Sequence, residues 1–253
     1  MSMRTSRLVL PFLATIVLGT VAPLAAAAPA SDTVETAAGP LVVRPVGHGT
    51  LVLEWNGRAI HVDPVGGAER FAGYPEPDLV LITDIHGDHM DPETVAAIAD
   101  GATVVAPAAV AESLDDASGY SLSVLANGES IDVEGVTVEA IPMYNLDPER
   151  DFHAKGRGNG YVVTLADTRV YISGDTEDIP EMRELEDIDV AFVCMNLPFT
   201  MTVDAAADAV LEFKPAIVYP YHYRGRPEMS DVERFESLVA ADPDIEVRLL
   251  QWY

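Results

Sequence analysis

Apolar residues recur along this chain in short alternating or continuous runs, cut by turn residues at regular intervals. Leu41 to Val46 and Leu51 to Trp55 are short, β-branched and apolar-rich runs that predict strands. Asn56-Gly57 predicts a tight hairpin, with Ile60 to Asp63 as the return strand ended by Pro64. Leu79 to Ile82 and Thr103 to Ala106 are continuous apolar runs of the kind buried on both faces. Between them Pro92 to Ala99 reads as a helix, with Asp91 as N-cap and Pro at the first helical position. A short helix follows over Pro107 to Ser113. Ser130 to Val133 and Val136 to Ile141 form a second meander around Glu134-Gly135. Gly160 to Leu165 and Arg169 to Ser173 make a hairpin across Ala166 to Thr168.

A short helix over Ile179 to Leu185 tolerates Pro180 in its first turn. The remaining elements are a strand over Ile188 to Cys194, a helix over Val203 to Phe213, a strand over Ala216 to Tyr219, a helix over Asp231 to Ala240 and a strand over Ile245 to Leu250. Meander and strand–helix units thus occur twice, which predicts two sheets packed face to face with helices outside.

Composition refines this picture at the N-terminus. Arg4 and Arg7 precede an apolar run from Leu8 to Val21 and a small-residue stretch ending at Ala30. This predicts a secretory signal over residues 1–30, a linker over 31–40, a single α/β domain over 41–253 and a periplasmic or extracellular location. The apolar run is short for a spanning helix, so no stable membrane insertion is expected after cleavage. The net charge is −26, and removing residues 1–30, with two Arg and no acid, makes it about −28. Such a surface repels nucleic acid and anionic lipid head groups, so no nucleic-acid partner is expected; the expected partner is a small-molecule substrate. The lone Cys194 sits in an apolar strand, where a small buried hydrophobe is expected.

The densest chemistry follows the strand at Leu79. Asp84, His86, Asp88, His89 and Asp91 fall within eight residues. In an extended loop, residues two apart point the same way, so Asp84, His86 and Asp88 can converge, and His89 adds an imidazole from the turn. A strand that ends in such a cluster reads as a metal site. Asp175 ends another strand after Gly174, which permits close backbone approach, and Asp178 stands nearer the next helix to cap it. His222 lies just past a late strand among Pro and Tyr residues, as suits a pocket wall. His48 sits at the first hairpin turn, His61 faces solvent or a neighbouring layer, and Asp63 is placed either to support a ligand histidine or to start a turn.

In this order the motifs resemble the metallo-β-lactamase superfamily, in the branch of ascorbate-6-phosphate lactonase and N-acylphosphatidylethanolamine phospholipase D. The family loop H-x-H-x-D-H appears here as Asp84-x-His86-x-Asp88-His89, so Asp84 departs from the family's histidine. The resemblance implies an αββα sandwich with two divalent metal ions between the sheet edges, zinc first, with manganese or iron as alternatives. One ion would take Asp84, His86 and His153, the other Asp88, His89 and His222, with Asp175 bridging. His153, alone in a polar loop, owes its place to the resemblance. Asp88 would also orient the nucleophile, and His48, Asn145, Tyr221 and Tyr223 are candidate wall residues or proton donors.

The expected activity is hydrolysis of an ester, lactone or phosphodiester by a water activated between the ions. The competing expectation, fed by Asp84, is an exported binding protein that keeps the fold without turnover.

Overall fold

The computed structural model describes Met1, residues 31–114 and residues 119–253. Apart from Met1, the expected signal segment over residues 1–30 lies outside the described residues. The chain builds two seven-stranded sheets, each laid down in chain order. The first runs β1 (Asp32–Thr36), β2 (Gly39–Gly47), β3 (Thr50–Trp55), β4 (Arg58–Val62), β5 (Leu79–Leu81), β6 (Thr103–Ala106) and β7 (Ser121–Val124). The second runs β8 (Ser130–Val133), β9 (Val136–Met143), β10 (Gly158–Leu165), β11 (Thr168–Ile172), β12 (Val190–Cys194), β13 (Ile217–Tyr221) and β14 (Glu246–Val247).

The halves repeat one plan. β1 to β4 and β8 to β11 pair antiparallel, and β4 to β7 and β11 to β14 pair parallel. Helices α1 (Pro92–Ile98), α2 (Ala108–Ala111), α3 (Pro180–Arg183), α4 (Val203–Phe213) and α5 (Val232–Val239) supply the connections beside the parallel strands. The parallel pairings require such crossovers, because a tight turn cannot reverse the chain twice. This is the expected αββα sandwich.

Period-two alternation divides the continuous apolar runs between two cores. Leu79, Leu81 and Val105 join the core shared with the second sheet, beside Val138, Tyr161 and Val163. Val80, Ile82, Val104 and Ala106 point the other way, onto Val95 of α1 and Val110 of α2. Burial on both faces explains why these strands carry no polar alternation. Tyr161 crosses between the sheets and donates its hydroxyl to the Ile82 carbonyl at 2.8 Å, fixing β10 beneath the end of β5.

Residues 31–40, expected to be a linker, instead form strand β1 and the start of β2. Val34 is buried, and Asp32 accepts hydrogen bonds from Tyr219 (2.7 Å) and Arg248 (3.0 Å). The segment is polar because it is a sheet edge, not because it is free. β7 at the opposite edge was also absent from the pattern-based reading. His61 is buried between layers rather than solvent-facing: its ring stacks on Phe71 at 5.3 Å, its Nε2 meets the Pro75 carbonyl at 3.0 Å, and burial pushes its pKa down to about 4. Cys194 is buried as expected, and burial pushes its thiol up to about 12. No described helix is long and apolar enough to cross a membrane.

Candidate metal centre

The carboxyl ends of strands from both sheets meet at one end of the sandwich. Asp63 follows β4, the segment from Thr83 to Asp91 follows β5, Asp175 follows β11 and His222 follows β13. His48 enters from the β2–β3 turn and His153 from the connection between β9 and β10. The β5 loop is pinned at both ends. His89 and Met90 donate their N–H groups to the His86 carbonyl at 2.9 Å, and the Asp91 side chain caps α1 by accepting from Glu93 and Thr94. His48, Asp63 and His222 all hold left-handed backbone angles, at φ of 56°, 46° and 46°. Such angles are uncommon outside glycine and cluster where a site dictates the backbone. Two glycines make room. Gly174 has φ of 59°, and a Cβ there would lie 2.6 Å from the Met143 sulfur; one on Gly49 would lie 2.8 Å from the His222 ring.

Most of the expected ligands converge. His153 Nε2 lies 3.2 Å from Asp175 Oδ2, and His89 Nε2 lies 3.4 Å from the same oxygen. His222 Nδ1 is 3.6 Å from Asp175 Oδ1, while its Nε2 is 3.6 Å from Asp88 Oδ2. Asp175 therefore stands between His153 on one side and His89 and His222 on the other, as a bridging carboxylate must. Candidate ligand atoms of Asp84, His86 and His153 lie within 4.8 Å of one another, as do those of His89, Asp175 and His222 and those of His48, Asp88 and His222.

Several of these buried atoms have no hydrogen-bond partner, among them His89 Nε2, Asp175 Oδ1 and both nitrogens of His222. Unpartnered polar atoms are costly when desolvated. Imidazole nitrogens and carboxylate oxygens facing one another are the donor set that a divalent cation such as zinc, manganese or iron accepts. The residues fit such ions.

The groups behind the ligands differ across the centre. Asp63 is fully buried and accepts from Thr83 N–H (2.7 Å), Thr83 Oγ1 (2.6 Å) and His89 Nδ1 (2.7 Å). That last bond holds a proton on Nδ1 and aims Nε2 at Asp175, the arrangement by which a carboxylate orients a ligand histidine. Burial disfavours charge on His89, but Asp175 and Asp63 outweigh it and hold its pKa well above the usual 6.5. For Asp175, burial pushes upward, and His222 and His89 prevail in holding it well below 3.8.

Asp84 is buried too, but its partner is a cation. Arg157 donates from Nε to Oδ1 (3.2 Å) and from Nη2 to Oδ2 (2.9 Å), and His86 Nδ1 lies 2.8 Å from Oδ2. Burial pushes Asp84 upward; its bond with His86 and the charges of His89 and His86 outweigh that and lower it, with the Arg157 bond adding a smaller share. Arg157 lies four residues after His153 in a loop rich in glycine, a signal the sequence offered but nothing tied to Asp84.

Three candidate wall residues divide. His48 sits in the centre, with Nε2 3.2 Å from Asp88, Nδ1 2.8 Å from the Tyr253 hydroxyl and its ring 3.8 Å from that of His222. Tyr221 does not line the cleft. It is fully buried, packed near Phe192 and Trp252, and its hydroxyl accepts the Gly174 N–H at 3.0 Å. Two residues on from the buried Tyr219, Tyr221 shares its face of β13 in the core, and the chain leaves the strand at His222. Asn145 is likewise a brace: its Oδ1 accepts the His153 N–H at 2.8 Å, and its Nδ2 donates to the Phe199 carbonyl at 2.8 Å and to Glu177 at 3.2 Å.

Comparison with known proteins identifies the family and the fold. Residues 43–222 match the family model described as a beta-lactamase superfamily domain. A UPF0173 metal-dependent hydrolase of Pyrococcus horikoshii is 30% identical over 213 residues, covering 80% of this chain and 94% of the relative. A crystal structure described as a metal-dependent hydrolase from Parabacteroides distasonis superposes with a TM-score of 0.79 at 38% identity, covering 89% of this chain and all (100%) of that one. At the level of fold alone, the chain is similar to CmlA, a diiron β-hydroxylase from Streptomyces venezuelae, at a TM-score of 0.63 and 20% identity over 84% of this chain and 53% of that one. The chain belongs to the metallo-β-lactamase superfamily and, within it, to the metal-dependent hydrolases.

Proposed function

We propose that the protein is an exported hydrolase that works with two divalent cations, zinc foremost, on an ester, lactone or phosphodiester. The observation that carries this reading is the set of buried, unpartnered ligand atoms around Asp175, drawn from both sheets. Cations bound there would supply a water acidic enough to attack near neutral pH, and positive charge for the oxyanion that develops.

The chain's own residues set the geometry. Asp63 keeps His89 in the tautomer that presents Nε2. Asn145 fixes the backbone of His153. Tyr253 and Asp88 hold the His48 ring between them: with the Tyr253 hydroxyl donating to Nδ1, His48 Nε2–H donates to Asp88 Oδ2 and aims that carboxylate into the cleft. No serine or cysteine is needed as nucleophile, consistent with a fully buried Cys194.

The two cation positions are unequal in this reading. Asp84 and Asp88 act as ligands beside His86, His153, His89 and His222, but Asp84 shares its carboxylate with Arg157. The test is metal analysis of the purified protein with hydrolysis of a panel of aryl esters, a lactone and bis(4-nitrophenyl) phosphate. About two equivalents of metal and activity lost to a chelator and restored by zinc or manganese support the reading. Absence of metal at every pH, with no turnover of any substrate, would instead favour a binding protein that retains the fold.

A further inference from the structure

We propose that Arg224, assisted by Arg70, forms a subsite for a small oxyanion beside the metal centre, and that the substrate carries a carboxylate or phosphate group remote from the bond that is cut. The second half of this statement rests on the hydrolase reading above.

An open cleft of about 510 Å³ adjoins His48 and Asp88, and Arg70 and Arg224 line it. That size suits a small molecule. Arg70, Arg169, Arg224 and Arg226 stand outside the ion pairs of the described residues, and of these four Arg70 and Arg224 line this cleft. With a net charge of −26, arginine has abundant carboxylates to pair with, and most described cations do so, as Arg58 with Glu134, Arg150 with Glu177 and Arg248 with Asp32. Arg70 and Arg224 make no ion pair among the described residues, although Asp88 and Asp91 border the same cleft.

Each is held in place by contacts that leave its charge uncompensated. Arg70 donates to the backbone carbonyls of Val46 (2.9 Å) and Val65 (3.4 Å). Its side chain fills the space beside Gly47 and Gly66, where a Cβ would come within 2.6 and 2.9 Å of it. The Arg224 guanidinium lies over the Tyr253 ring, 5.0 Å from its centre. Stacking of this kind fixes the plane and leaves the N–H donors at its edge free for a carboxylate or phosphate. Tyr253 ties this cation to the reacting end of the cleft, since its hydroxyl meets His48 Nδ1 at 2.8 Å. Two unpaired guanidinium groups beside the ligands of a hydrolytic centre are a receptor for a negative group, which the acidic surface elsewhere would repel.

The experiment has two arms. In the first, metal-loaded protein hydrolyses mono-4-nitrophenyl glutarate and the neutral 4-nitrophenyl valerate, and the ratio of their kcat/KM values is read. The anionic ester should be preferred by about tenfold or more, the typical scale of one charge-assisted hydrogen-bonded pair. Arg224→Gln should cut the ratio about tenfold, chiefly through KM, and Arg224→Lys should recover part of it because charge returns without the fork. An unchanged ratio in Arg224→Gln, at an unchanged melting temperature, overturns the subsite.

The second arm needs no turnover. Chelator-treated protein is titrated calorimetrically with inorganic phosphate, and Arg224→Gln should weaken binding about tenfold. Equal binding, or none by the wild type, overturns the proposal. Phosphate binding that depends on Arg224, with no hydrolysis of these esters, the lactone or the phosphodiester, would leave the subsite standing and remove the hydrolase reading, whereas hydrolysis indifferent to Arg224 does the reverse.

Discussion

The two halves of the metal centre present similar donors but are backed by opposite charges. In the inner half, His89 and His222 are fully buried around Asp175, and behind His89 stands the carboxylate of Asp63. In the outer half, Asp84 and His153 are buried and behind Asp84 stands the guanidinium of Arg157; the exposed ligand side chains, His86 at 43% and Asp88 at 46%, fall one in each half. A carboxylate behind an imidazole makes it a better donor. A guanidinium behind a carboxylate takes up part of its electron density and offsets the charge that Asp84 adds in place of a neutral histidine. Counting ligands therefore overstates the likeness of the two positions; the contacts one layer further out decide their relative affinity, and the inner half should fill first.

The largest effect tests what the halves share. Asp175→Ala should reduce metal content at both positions and lower kcat/KM by more than about 100-fold, since even partners behind a ligand cost about 10–100-fold. Plasma mass spectrometry with kinetics reads both. Asp63→Ala comes next and should act on the inner half alone, weakening the tighter binding step about 10–100-fold in a metal titration.

Arg157→Leu should destabilise chelator-treated protein by about 1–3 kcal/mol. That is below the range for a fully buried broken pair, because the Arg157 side chain is 25% exposed and water screens the loss. Metal should restore most of this, because a cation beside Asp84 replaces the lost guanidinium; denaturant melts with and without zinc make the comparison. Asp84→His should keep the fold, with equal or stronger metal binding in the outer half.

The smallest effect is the pH dependence of chelator-treated protein. His89 has its pKa raised above 6.5, so its contribution is complete below 6.5 and fades as pH rises beyond it. Asp175 has its pKa depressed below 3.8, so its contribution is complete above 3.8 and fades as pH falls. Stability from this pair should be greatest between pH 3.8 and 6.5. Metal binding requires His89 to release its proton, so affinity should climb with pH across the range where the apo protein weakens. A flat melting temperature across pH 6 to 9 would contradict the assignment of His89.

How much of this was legible along the chain depended on the range of the interactions. The loop from Asp84 to Asp91 declared itself because spacing of two along an extended segment is a local property. Asp175 and His222 were found as polar residues closing apolar strands. The partners behind them were not specified by any local pattern: Arg157 reaches Asp84 across 73 positions and Tyr253 reaches His48 across 205. Asp63 was seen as a possible support, but only the fold joins it to His89. Strands β1 and β7 escaped notice because both are sheet edges, where burial is partial and the alternation is weak. Tyr221 adjoins His222 in sequence, but it ends β13 with its ring in the core, while His222 leaves the strand with a left-handed backbone.

The inequality of the two halves is tested most directly by anomalous diffraction from crystals of chelator-treated protein given one equivalent of zinc. The peak should lie among His89, Asp175 and His222. A peak confined to Asp84, His86 and His153, or none at either place, would contradict the account.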